Sequence, residues 1–214
     1  MTVAFSSYLT GVLPHVPGCP RNVAVDAVRK ATQRLCMDAL VWKEELAAIN
    51  STVGADSYTL TPVTANTEIT AITYAEYDES PIDIKSKKDL DEFDLNWRNA
   101  DNGTPSACYL ASSTQVTLNR KADTAIAGGI VIEVALMPDD ASTGAQDDIY
   151  LYYKETIEHG ALHYLFQIPK KEWSDLDLAV YHGKHFNYFI QNAKAVADRN
   201  RGRKANRAKY KFFA

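Results

Sequence analysis

Apolar residues recur at Ala24, Val28, Ala31, Leu35, Ala39, Trp42, Leu46 and Ile49, always three or four apart. That spacing places them on one face of an α-helix and predicts a single long amphipathic helix after the proline-punctuated leader "LPHVPGCP". A second line, Val25, Cys36 and Leu40, widens the apolar face. A helix with so broad a face cannot bury it alone, and packs against two neighbours.

From about residue 55 the period changes. The stretches "SYTLTP", "TEITAITYAEYD", "PSACYLASSTQVTLNR" and "GGIVIEVALMP" are rich in Thr, Ile, Val and Tyr and are separated by turn residues. They read as four or more strands, with Ser112-Ser113 a hairpin turn and "SKKDLDEFDLNWRNADNGTP" a short helix or ordered loop between them. Helical spacing returns at Tyr150, Tyr153, Ile157, Ala161, Tyr164 and Ile168, with Asp147 as N-cap and Pro169 beyond the end. Gly160 inside that helix costs about 1 kcal/mol relative to Ala, which a close helix crossing would explain. A last helix is expected from Ser174, spaced Ser-x-x-Asp to Asp177, to near Gly202. The expected fold is α+β: an antiparallel helix bundle of one long N-terminal and two C-terminal helices, with an inserted β-sheet region at about 55–137 and an extended tail. The expected division is one domain, 1–198, followed by the tail, 199–214.

Charge separates the two parts. The tail "RNRGRKANRAKYKFFA" holds 7 of the 23 Lys and Arg and no acid, which leaves residues 1–198 with 16 bases, 27 acids and a formal charge of −11. Such asymmetry suits two surfaces for two partners. Arg199, Arg201, Arg203, Lys204, Arg207, Lys209 and Lys211 could neutralise phosphates, and Tyr210, Phe212 and Phe213 could stack on bases. An acidic body repels nucleic acid, however, and a phosphate-binding arm gains nothing from ending in two phenylalanines. Aromatics among basic residues on a chain end are the anchors of a protein-docking peptide.

The remaining chemistry is sparse. Cys19, Cys36 and Cys108 have neither disulfide-framework nor zinc spacing, which suits a reducing compartment. The leader has no basic n-region and the longest apolar run is far short of a membrane span, so the expectation is a soluble chain made in the cytoplasm. His159 and His163 lie four apart, His182 and His185 three apart, and two such pairs on facing helices could ligate a metal. "HGALH" lacks the general-base glutamate of H-E-x-x-H, so half-buried histidines between packed helices are the simpler reading. Asp139-Asp140 and Asp147-Asp148 sit in a polar loop where carboxylates commonly solvate the chain. Neither a nucleophile elbow nor a phosphate loop occurs, and no enzyme, cofactor or resident metal is expected.

The segment "VLPHVPGCPRNVAVDAVRKATQRLCMDALVW", with Arg29, Leu35-Cys36 and Trp42, resembles the opening of tailed-bacteriophage head–tail connector (adaptor, neck) proteins. "SYTLTPVTANTEITAITYAEYDESPI" is similar to that family's strand pair. Pro138, Gly160-Ala161-Leu162, Pro169, Trp173-Ser174-Asp175 and Tyr181 match its closing section, so the resemblance runs from about residue 12 to 195. It implies a structural virion protein of the neck, assembled in the host cytoplasm. It also implies a homo-oligomeric ring, usually a dodecamer, with the portal protein above, a tail or nozzle protein below, and DNA passing unread through the lumen. No catalytic residues carry over, and a C-terminal segment reaching into the portal is implied. The rival reading is a nucleic-acid-binding accessory protein that uses the same tail. A metal-dependent hydrolase built on His159, His163, His182 and His185 is a third.

Overall fold

The computed structural model describes residues 2–93, 97–99 and 101–197. In chain order its elements are β1 (Thr2–Ala4), α1 (Leu9–Val12), α2 (Arg21–Ala39), β2 (Lys43–Glu45), β3 (Ser57–Thr59), β4 (Thr67–Tyr77), β5 (Ser80–Pro81), β6 (Asp83–Ile84) and α3 (Lys87–Phe93). There follow β7 (Ala107–Ser112), β8 (Gln115–Leu118), β9 (Ile130–Pro138), β10 (Gly144–Gln146), α4 (Asp147–Phe166) and α5 (Leu176–Ala197).

The helix bundle with an inserted sheet is corrected by this arrangement. Among the described residues ten strands form three sheets, ordered β1-β10, β2-β9-β4-β5 and β3-β8-β7-β6, and the helices that close them are a pair. The physical reason lies in β9. One of its faces, Ile130, Ile132, Val134, Leu136 and Pro138, is fully buried, while Val131, Glu133 and Met137 on the other are half-buried. Such a strand needs neighbours at its edges and a layer over its apolar face. Here β4 and β2 flank it edge to edge, and α2 packs on its face.

The first helix is shorter than its apolar line. It stops at Ala39, where Leu40 takes φ 50° and ψ 42° and its N–H donates to Cys36 O at 3.0 Å. A left-handed residue satisfies a last-turn carbonyl and turns the chain. Trp42, Leu46 and Ile49 are then carried along β9 instead: Leu136 N–H donates to Trp42 O (2.8 Å), Leu46 N–H to Ile132 O (2.9 Å) and Ile49 N–H to Ile130 O (2.8 Å). Trp42 and Leu46 remain buried, so the same residues meet the same need by strand pairing.

The long strands fall where their composition places them. β4 pairs antiparallel with β9 from Thr67↔Pro138 to Tyr77↔Ile130, with irregularities between Ile69 and Ala71 and between Ile72 and Tyr74. β7 and β8 form the expected hairpin, Cys108↔Leu118 to Ser112↔Gln115, but its turn is Ser113-Thr114 rather than Ser112-Ser113, because Ser112 is still paired. Two pairings had no pattern to announce them: β1 with β10, and the parallel β6 with β7. One continuous apolar cluster runs from Phe5 and Tyr8 through α2 and β9 to Phe186, Ile190 and Ala193 of α5.

Candidate interaction surface on the C-terminal helix pair

α4 and α5 run antiparallel, because their contacts descend one helix as they ascend the other: His163 meets Gly183, His159 meets Phe189, and Tyr153 shares a groove with Val196. Asp147 opens α4 as its first residue rather than as its cap; Asp147 and Asp148 then place negative charge in the first turn, where the helix dipole favours it. The cap of α5 is Asp175 rather than Ser174: its Oδ1 accepts from the N–H groups of Asp177 and Leu178, both at 3.0 Å. The expected end of that helix near Gly202 lies outside the described residues.

Gly160 is the contact point of the helices. A Cβ built there would lie 2.8 Å from Ala31 Cβ on α2 and 2.8 Å from the Phe186 ring on α5. Gly183 does the same for His163, whose Nδ1 would lie 2.6 Å from an added Cβ. His163 Nδ1–H donates to Ala179 O at 2.8 Å, and Gln167 Nε2 lies 3.1 Å from the other ring nitrogen.

The histidines expected in two pairs meet across the seam. His159 and His182 are joined Nδ1 to Nδ1 at 2.8 Å, and the His185 ring stacks on His159 at 5.2 Å between centroids. Burial first, and the neighbouring histidines next, hold His182 down to about 4 and lower His159 as well. The spacing describes a hydrogen bond, not a shared ion: zinc holds each ring nitrogen at about 2.0–2.1 Å and needs further ligands. Among the described residues no group of three or more His, Cys, Asp or Glu is placed to hold a metal.

The carboxylate pairs are tied into the scaffold. Asp139 Oδ1 accepts from Ala141 N–H (2.9 Å), while Asp140 accepts from Arg29 Nη1 at its carbonyl (2.6 Å) and from Gln33 Nε2 at its side chain (3.2 Å). They fix the β9–β10 loop to α2. A cationic cleft of about 240 Å3 lies elsewhere, with Lys87, Arg98, Arg120 and Lys121 on its wall. Its two aromatic rings offer no platform for bases. Arg98 covers Trp97 (4.8 Å to the ring centroid), Lys87 covers Tyr109 (5.2 Å), and both rings are buried.

The outer side of the helix pair is unusually apolar for a surface. Leu151 is 69% exposed, Leu176 70%, Val180 56% and Tyr188 63%. Between the helices, Tyr152, Tyr153, Thr156, Phe189, Ala193 and Val196 line a groove of about 350 Å3. Large apolar side chains exposed beside an apolar groove make this side the candidate interaction surface. Sequence periodicity identified both helices but not this surplus, because α5 carries more apolar residues than one buried stripe uses.

The family model for the SU10 adaptor protein matches residues 9–208. The chain belongs to the SU10 adaptor protein family. This is a phage head–tail adaptor family, so the adaptor is a structural component of a phage virion, as the resemblance implied. No curated protein matches the adaptor. Its family is structural and not typically enzymatic, and among the adaptor's described residues no helix is long and apolar enough to cross a membrane. The docking residues expected in the adaptor's tail, Arg199 to Phe213, lie outside the described residues.

Proposed function

We propose that the adaptor forms a homo-oligomeric ring in the virion neck, with the portal protein above, a tail or nozzle protein below, and DNA passing through the lumen without sequence-specific contact. The observation that carries this reading is the exposed apolar side of the α4–α5 pair on a chain of a head–tail adaptor family. A closed ring uses two different faces of each subunit, one receiving the other. The helix pair supplies one such face. The acidic body, −11 over residues 1–198, favours passage of DNA over its retention, since nonspecific affinity comes from cationic contacts to phosphate.

The tail is the portal-docking element in this reading. Arg199, Arg201, Arg203, Lys204, Arg207, Lys209 and Lys211 steer it to an acidic surface, and Tyr210, Phe212 and Phe213 anchor it. Removal of residues 199–214 should abolish capture by portal rings in a pull-down while the far-ultraviolet circular dichroism and melting of the body stay unchanged. Full-strength capture by the truncated chain would sink the assignment. Steep, salt-dependent binding of plain duplex by the full chain, lost on the same truncation, would favour the nucleic-acid reading instead.

A further inference from the structure

The fold gathers histidines that the sequence scatters. A cavity of about 350 Å3 is lined by His15 from the leader, His159 and His182 from the two helices, and Gly11, Glu155, Glu158, Leu162 and Tyr181. His185 stacks on His159, and His182 stacks on Phe166 at 5.5 Å. One turn along, His163 holds Ala179 O. At the centre is the contact between His159 and His182, Nδ1 to Nδ1 at 2.8 Å.

Two ring nitrogens at hydrogen-bond distance share one proton: one donates and the other must offer a lone pair. A first added proton can settle on an outer Nε2 and leave the bond in place. A second must go onto the accepting Nδ1, which sets two N–H groups against each other and two positive rings 4.9 Å apart. We propose that the His159–His182 pair is an acid-operated latch, closed while it shares one proton and opened by the second, which releases the first half of α5 from α4.

The surroundings act in the same direction. His15, His185 and His163 all oppose a positive charge on the His182 ring. Glu155 and Glu158 are the acids that face the cavity and could offset it. Glu158 is a poor counter-charge: burial foremost raises its carboxyl above the usual range, with Glu155 adding to this and Lys154 and His15 opposing it. It therefore takes up its own proton early as pH falls. Burial likewise resists charging of both latch histidines, His182 down to about 4 against an ordinary 6.5. An unfolded chain accepts these protons near 6.5 while the folded one refuses them, so the contribution of His182 to stability falls as pH drops from about 6.5 to about 4 and levels off below, with His159 acting in the same direction.

Hydrogen exchange of the full chain, expressed as protection factors at each pH, tests the latch. Wild-type amides in residues 176–190 should lose protection by of the order of a hundredfold between pH 6.5 and 4, ahead of β4 and β9. His182→Phe, whose ring can keep the stack on Phe166, should remove most of that dependence. Should the variant fold poorly, the imidazole titrations of wild type by nuclear magnetic resonance decide the matter. Coupled steps, with the second well below 6.5, support the latch. Independent titration of His159 and His182 near 6.5, or parallel loss of protection in wild type and a folded His182→Phe, overturns it.

Discussion

Glu158 is a charged side chain in a place that serves it poorly. Its Oε1 is buried without a hydrogen-bond partner, Gly11 packs directly against the carboxylate, and Lys154 Nζ approaches only to 3.8 Å. Burial raises its pKa, so the folded state favours the neutral acid. The stabilising effect of that proton is complete below the unfolded value near 4.5 and is lost as pH rises through the higher folded value. At neutral pH the wild-type protein bears the cost of a charge held partly away from water. Glu158→Gln, nearly the same shape without the charge, should therefore raise stability by about 0.5–1 kcal/mol at pH 7. The advantage should shrink toward pH 4, as followed by urea midpoints across the range.

The helices show where sequence reasoning works and where it stops. Gly160 was legible as a crossing, because a glycine in mid-helix needs a neighbour to justify it, and the structure supplies Ala31 and Phe186. Gly160→Ala improves helix propensity by about 1 kcal/mol, but the new methyl meets a ring that is fully buried and cannot retreat. Overpacking of this kind costs about 1–3 kcal/mol, so a net loss of up to about 2 kcal/mol is expected in chemical denaturation. An unchanged or higher midpoint would mean that α4 and α5 can separate freely. The end of α2 was not legible. Trp42, Leu46 and Ile49 keep helical spacing, and only the demand of β9 for a partner lays them out as extended chain around β2, a demand set by residues some eighty to ninety positions away. The same holds for β1, three residues that pair with β10. The site was legible in its parts. His159 and His182 stood out as members of spaced pairs, but their meeting across the seam, and the arrival of His15, depend on the tertiary fold.

At the scale of the molecule, the proposed ring requires a surface that joins one subunit to the next. A buried core explains the inward residues of α4 and α5, Ile157, Ala161, Leu165, Phe186 and Ile190, and leaves Leu151, Val180 and Tyr188 facing water. Leaving a large apolar side chain exposed forgoes roughly 1.5–3 kcal/mol that burial would return, and a contact in the proposed ring would recover it. The two purposes can be separated by substitution. Tyr188→Glu stands four residues after Lys184, and Leu151→Lys stands four from both Asp147 and Glu155, so each new charge has an oppositely charged neighbour on its own helix. Monomer stability should change by no more than about 0.5 kcal/mol, because neither side chain contributes to the core. Assembly should suffer, since each new charge would have to leave water to enter an apolar contact. Native mass spectrometry of the double variant, alone and with portal rings, should show subunits that fold and melt normally but do not complete the ring. Intact rings would exclude the outer side of the helix pair and direct attention to the strand edges, where the short β2 and β3 stand outermost in their sheets.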